Sequence, residues 1–242
     1  ADFGGEALAK KHGLYHNMFV DLFHKVKPEL EFKIYDVPQG EKPTRADECD
    51  AYIITGSRAG IYEHDKYTWI NDILAIVLNI SRQDIPQAGI CFGHQVLALA
   101  FGGEVAKSDK GWGVGVSSYQ TTDSANKNMV SLPNEFSIIA IHQDQVVEKP
   151  PAAKIIASSS FCPIAALEST RNNFISFQGH PEFIDGLLVD IMNSRIDSIG
   201  ADKVERASKS LADPTNEEAI AKTMLEFFAK QISNRAIQES VA

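Results

Sequence analysis

The chain has little cysteine: only Cys49, Cys91 and Cys162 in 242 residues. Three is an odd number, and the spacing suits neither a disulfide framework nor a paired-cysteine metal site. A reducing, cytoplasmic setting is expected. No block rich in lysine and arginine occurs, and the net charge is −9. Nucleic acid and anionic membrane are therefore not expected as partners. No apolar run reaches the ~18 residues of a membrane span. The opening ADFGGEALAKK lacks the apolar centre of a signal peptide. Internal repeats, low-complexity linkers and a phosphate-cradling GxxxxGK loop are missing too. His142 and Asp144 are too few for a closed metal site, so neither metal nor cofactor is expected. What is present is ordinary globular composition, 44% apolar and 23% charged. A chain of this length can bury a full core without staples.

Phe32–Val37 (FKIYDV) and Ala51–Gly56 (AYIITG) are short β-branched, apolar runs that end at turn residues, which predicts buried strands. Tyr67–Ile80 has apolar residues at three- and four-residue spacing and predicts a helix. QAGICF is a further strand, and QVLALAFGG a helix stopped by glycines. This alternation argues for an α/β fold, a doubly wound, mostly parallel sheet with helices on both faces. In the middle, GVGVSSYQTT, FSIIAIHQDQVV, AKIIASSS, PIAALEST and NFISFQGHPEF follow one another closely, which predicts a small antiparallel section. The tail is helical at Phe183–Ile196 and Asn216–Ser233, with Pro214-Thr215-Asn216-Glu217 as a helix start. Residues 1–242 are expected to form one domain. The opening segment EALAKKHGLYHNMFVDLFHKV has helical spacing where such folds usually begin with a strand, and no initial strand is evident in it.

Gly89-Ile90-Cys91-Phe92-Gly93 lies where an apolar run stops and a helical pattern begins. Strand, Gly-x-Cys-x-Gly, helix is the layout of a nucleophile elbow. A Cβ at either glycine would collide with the turned backbone. The helix N-terminus favours thiolate at Cys91. The N–H of Phe92 is placed to receive an oxyanion. A thiol nucleophile needs a base. His180 ends the apolar run FISFQ within Gly179-His180-Pro181-Glu182. Pro181 prevents strand pairing beyond it, and Glu182 can fold back to orient the imidazole. His12, His16, His24, His64 and His94 are expected on the surface or satisfied in the core. Cys49 and Cys162 lack a glycine elbow and are expected to be structural. GWGVG (Gly111–Gly115) is expected to be a hairpin rather than a rim of the cleft.

GICFGHQ resembles the nucleophile segment of class I (triad-type) glutamine amidotransferases, and GHPE resembles their His-Pro-Glu segment. The order Cys…His…Glu matches as well. IITGS (Ile53–Ser57) resembles the strand and loop that supply the second oxyanion N–H, here Gly56. IHQDQV (Ile141–Val146) resembles the corresponding segment of the GMP-synthase-type branch. The resemblance implies that Ile141, Gln143 and Asp144 help hold the glutamyl head, with Gln95 also contacting substrate. It implies a Cys91–His180–Glu182 triad that cleaves the side-chain amide of glutamine, or another γ-glutamyl amide, through a thioester. TGSRAG departs from the usual Gly-Gly-Pro type of loop, and Gln143 stands where glycine is common in that branch. No synthetase-like region follows within the chain. Three functions are therefore compatible with the sequence: a stand-alone amidotransferase-like hydrolase, a γ-glutamyl peptidase, and a glutaminase or glutamine-sensing subunit of a separate synthetase chain.

Overall fold

The computed structural model describes residues 6–125, 130–171 and 173–241. It opens with α1 (Glu6–His12) and α2 (Tyr15–Val26). Gly13 separates them at φ +84°, a conformation in which a side chain is strained. The segment α2 buries Tyr15, Met18, Phe19, Leu22 and Phe23, the three- and four-residue spacing of one helical face. There follow β1 (Tyr52–Ile54), α3 (Trp69–Ser81), β2 (Gln87–Ile90) and α4 (Phe92–Ala100). Next come β3 (Glu104–Lys107), β4 (Gly113–Thr121), β5 (Glu135–His142), β6 (Asp144–Glu148), β7 (Lys154–Ser158), β8 (Ala166–Ser169) and β9 (Phe174–Phe177). The chain continues through α5 (Asp185–Ser194), α6 (Ile196–Ile199), α7 (Ala201–Ser210) and α8 (Glu217–Val241).

Seven strands form one sheet in the order β1-β2-β9-β8-β7-β4-β5, and β3 pairs with β6 separately. The β1–β2 and β2–β9 pairs are parallel. From β9 through β8, β7 and β4 to β5 the pairing is antiparallel. The α/β class and the mid-chain antiparallel section are as expected, and that section extends the same sheet further than a small appendage would. Helices cover both faces. On one, Phe19, Phe23, Ile220, Met224 and Phe227 pack with Ala88, Ile90, Ile175 and Phe177. On the other, Ile70, Ile73, Val77, Phe92 and Val96 pack with Phe174 and Leu167. Side chains of successive strand residues point to opposite faces, so β9 sends Phe174 to one core and Ile175 and Phe177 to the other. Among the described residues no helix is long and apolar enough to cross a membrane.

Phe32–Val37 is not a strand. A ladder needs a neighbour about 4.8 Å away, and none of the described segments supplies one. A groove of about 720 Å³ lies between Leu30–Val37 and Ala51–Thr55, lined by Phe19, Phe23, Ile73, Val77 and Phe228 among others. The strand-forming composition of Phe32–Val37 is therefore real, but its backbone has no partner, and β1 is left as a sheet edge. The final helix runs past Ser233 to Val241. It begins after Asn216, whose side chain accepts the N–H of Ser137 at 2.8 Å, so that residue ties the helix to β5.

Candidate active site

The strands β2 and β9 run side by side with Ile90 opposite Phe177, so both chains leave the sheet at the same height. From β2 the backbone turns at once into α4, and Cys91 takes the strain at φ 54°, ψ −101°. A non-glycine residue with positive φ is uncommon and persists where packing over-determines it. Here the packing is visible at the two glycines. A Cβ on Gly89 would lie 2.4 Å from the Gly93 carbonyl oxygen, and one on Gly93 would lie 2.0 Å from the Ile54 carbonyl oxygen. The helix therefore sits directly on β1 and β2, and Cys91 is pushed up at its N-terminus. The N–H of Phe92 belongs to the first turn, where amides have no intrahelical acceptor.

From β9 the chain runs through Gln178 and Gly179 to His180, whose N–H donates to the Ile139 carbonyl at 2.7 Å. That bridge fixes the histidine against β5. His180 Nδ1 and Glu182 Oε1 are 2.7 Å apart, and both side chains are buried. Glu182 Oε2 is buried without a partner among the described residues, so the bond to His180 is the main support of the carboxylate. The Cys91 sulfur interacts with the same imidazole. Burial alone would lower the His180 pKa, but the Glu182 carboxylate and the Cys91 sulfur outweigh it and push it up to about 10. Gly56 lies beside both side chains. A Cβ there would be 2.8 Å from His180 Cε1 and 3.8 Å from Cys91 Cβ. Cys91, His180, Glu182, Gly56 and Phe92, far apart in sequence, therefore meet at one point.

Of the residues expected to hold substrate, Gln143 and Asp144 sit at the turn from β5 to β6, and Gln95 bonds to that turn. Gln143 is the single residue between β5 and β6. Asp144, half-buried, accepts the Tyr62 hydroxyl at 3.2 Å on Oδ1. Burial pushes its carboxyl pKa up, partly offset by Tyr62 and Lys107. Gln95 uses its amide nitrogen on the Asp144 carbonyl, 3.0 Å, and on Gln178 Oε1, 3.3 Å. Gln95 thus braces the corner from below. Ile141 is buried in a core cluster with Tyr15 and Phe183.

Among the other histidines, His94 is fully buried and satisfied by Ser176 Oγ at 2.8 Å and the Ile164 carbonyl at 3.1 Å. His12 bonds Asp190, and His24 bonds the Leu30 carbonyl. Cys162 is buried, and burial pushes its thiol up to about 12. Two neighbours of the site escape a reading of the sequence. Phe183 stacks on His180 with ring centroids 3.9 Å apart and planes at 19°, and Tyr15 packs on Phe183 at 5.3 Å. Phe183 follows GHPE directly, which was the available signal. Tyr15 looks like any apolar-face residue of its helix.

The family profile described as glutamine amidotransferase class-I matches residues 14–190. Over 198 residues the chain is 33% identical to gamma-glutamyl peptidase 4 of Arabidopsis thaliana, spanning 78% of this chain and 75% of that protein. It is 34% identical over 106 residues to one component of the glutamine-hydrolyzing GMP synthase of Archaeoglobus fulgidus, spanning 43% of this chain and 56% of that one. The crystal structure of a glutamine amidotransferase from Thermotoga maritima aligns with a TM-score of 0.71 at 22% identity, covering 89% of this chain and 91% of that one.

Proposed function

The chain belongs to the class I glutamine amidotransferase family, and on that premise we propose that it hydrolyses γ-glutamyl amides through a thioester on Cys91. One observation carries the proposal. A strained cysteine on a glycine-fenced elbow meets an imidazole whose Nδ1 is held 2.7 Å from a buried carboxylate. The Cys91 thiolate attacks the side-chain carbonyl carbon of the glutamyl group. The oxyanion is received by the N–H groups of Phe92 and Gly56, each such donor being worth about 3 kcal/mol of barrier. The C–N bond breaks as the His180 imidazolium gives its proton to the departing amine. Water, losing a proton to His180, then attacks the thioester and releases glutamate. Glu182 holds the imidazole in one tautomer throughout. Asp144 and the β5–β6 corner hold the glutamyl head, with Ile141 and Gln143 shaping it and Gln95 supporting it.

Two leaving groups fit this chemistry. The likeness to the plant γ-glutamyl peptidase favours an amino acid or peptide amine. The likeness to a GMP synthase component favours ammonia, passed to a separate synthetase chain. Residues 1–242 are taken as one amidotransferase-like unit. In support, α8 lies beyond the matched residues yet buries Met224 and Phe227 in the core that contains Cys91. A reducing compartment is part of the same proposal, since a nucleophilic thiolate must stay unoxidised.

A diazo-ketone analogue of glutamine tests the proposal. Mass spectrometry should find it attached to Cys91, with labelling blocked by a γ-glutamyl substrate. Cys91→Ala should abolish amine release while the circular dichroism spectrum is kept. Labelling elsewhere, or undiminished turnover in that variant, sinks the assignment.

A further inference from the structure

The run Ser57–Glu63 (SRAGIYE) follows Gly56 directly, in the loop that departs from the Gly-Gly-Pro type. Gly60 and Glu63 are joined twice. The Glu63 N–H donates to the Gly60 carbonyl at 2.9 Å, and the Glu63 carboxylate accepts the Gly60 N–H at 2.7 Å. The two residues between them are therefore held in a tight turn. Ile61 is 1% exposed and belongs to the core that contains Phe92 and Val96, whereas Tyr62 is 44% exposed. From that outer position the Tyr62 hydroxyl donates to Asp144 Oδ1 at 3.2 Å. Gly60 permits the approach. A Cβ there would lie 2.9 Å from Tyr62 Cζ and 3.2 Å from Asp144 Oδ2. One turn thus presses a phenol and a bare backbone against the carboxylate at the β5–β6 corner.

Asp144 Oδ1 and the Tyr62 oxygen are two acceptors 3.2 Å apart on separate segments. A phenol that gives its proton to a carboxylate keeps its lone pairs as acceptors. Burial and the Asp144 charge push the Tyr62 phenol up to about 12, so it stays protonated at neutral pH. An ammonium group has N–H donors enough for both oxygens. Its hydrogen bonds to a carboxylate are of the strong, charge-assisted kind. The glutamyl head carries one such group, its α-ammonium. The same loop carries Gly56 at its start, beside the His180 ring and Cys91 Cβ. Six residues of chain therefore link the oxyanion side of the site to the carboxylate side.

We propose that Tyr62 is a specificity-determining residue whose hydroxyl orients the Asp144 carboxylate and forms with it a two-oxygen clamp for the α-ammonium of the glutamyl group. This rests on the hydrolase proposed above, which puts the glutamyl head at the β5–β6 corner. The clamp selects compounds with a free α-amine over their N-acylated forms. The bond-breaking chemistry stays with the triad.

The test follows Cys91 labelling on the full chain with three reagents: the diazo-ketone analogue of glutamine, its N-acetyl derivative, and iodoacetamide. On the wild-type protein kinact/KI should be about tenfold or more higher for the free-amine analogue than for the N-acetyl derivative, the effect of one hydrogen bond to a charged group. Tyr62→Phe keeps the ring and removes the hydroxyl. It should raise KI for the free-amine analogue severalfold, with kinact and the other two reagents unaffected. Gly60→Ala, which wedges Tyr62 from Asp144, should act the same way. A pH signature accompanies this. Burial pushes the Asp144 carboxyl up, Tyr62 and Lys107 pull it down, and Glu63 pushes it up. Tyr62→Phe should therefore move the acid limb of kinact/KI to higher pH for the free-amine analogue and leave it in place for the N-acetyl derivative. Equal labelling of the wild type by both diazo-ketones, or an unchanged KI and acid limb in Tyr62→Phe, overturns the clamp while the hydrolase proposal stands. Equal slowing of all three reagents in Tyr62→Phe also overturns it, because the hydroxyl would then serve the fold of the elbow. If Cys91 reacts with iodoacetamide but resists both diazo-ketones, the hydrolase and the clamp fall together.

Discussion

Two imidazoles flank the elbow. His94, on α4, and His180, beyond β9, are both buried. His94 meets the Ser176 hydroxyl and the Ile164 carbonyl, and burial holds its pKa down to about 3. His180 meets a carboxylate and a sulfur, and its pKa is pushed up to about 10. Desolvation acts on both in the same direction. What separates them is whether the partners are dipoles or charges. The neutral pair fixes α4 against β9 as a structural bolt. The charged pair keeps a proton ready for a leaving amine. One sheet end thus carries a silent histidine, three residues along the chain from Cys91, and a proton-carrying one brought to the same cysteine by the fold.

The comparison breaks most sharply if Glu182 is neutralised. Glu182→Gln keeps the shape but leaves His180 nearer to the condition of His94. We expect kcat/KM to fall by about 10³–10⁴-fold, the scale seen when a triad carboxylate becomes an amide. The alkaline limb of the pH–rate profile should move to lower pH by at least about one unit. Stability has a matching signature. The folded-state pKa of His180 lies above its ordinary value of 6.5. Its contribution is therefore complete below that value and drains away as pH rises through about 10. Denaturant midpoints measured from pH 6 to 10 should decline in the wild type and flatten in Glu182→Gln. An unmoved alkaline limb in the variant would show that Glu182 does not control the imidazole.

Disturbing the other histidine should cost stability and leave proton chemistry alone. His94→Leu strands the Ser176 hydroxyl and the Ile164 carbonyl inside the core. Unpartnered buried polar groups cost about 1–3 kcal/mol each, so a loss on the order of 2–4 kcal/mol is expected in urea denaturation. In the protein that remains folded, the pH dependence of Cys91 alkylation by iodoacetamide should match the wild type. A shift as large as that of Glu182→Gln would erase the distinction between the two imidazoles.

The charged half of this comparison was legible in the sequence, and the neutral half was not. Gly89 and Gly93 announce the elbow because each has a carbonyl oxygen within 2.4 Å of where a Cβ would sit; contacts that close leave no other residue possible. His180 and Glu182 are local to one another, so their spacing shows the bond. His94 needs Ser176 and Ile164, more than 60 residues away, and nothing in GHQ points to them. The same reason hides Tyr15, whose partner Phe183 belongs to the far end of the chain. Phe32–Val37 fails differently. Its composition suits a strand, but a strand is a pairing, and no described neighbour offers one. The short strand β3 has only four residues, exposed Glu104 and Lys107 around half-buried Val105 and Ala106, too few for a periodic signal.

The finest test concerns the ring that only one of the two histidines has. Phe183 lies nearly parallel to His180 at 3.9 Å, with its π-face toward an imidazole that is protonated at neutral pH. A cation against an aromatic face is worth about 1 kcal/mol when partly desolvated, or roughly fivefold in rate. Phe183→Leu keeps apolar bulk and removes the face. It should lower kcat/KM about three- to tenfold and draw the alkaline limb down by a fraction of a pH unit, in the direction of Glu182→Gln. Phe183→Tyr keeps the face and should restore both. If leucine lowered the rate with no change in the pH profile, the ring would be steering His180 by shape alone. The electrostatic contrast between the two imidazoles would then rest on Glu182 and Cys91 without help from the stack.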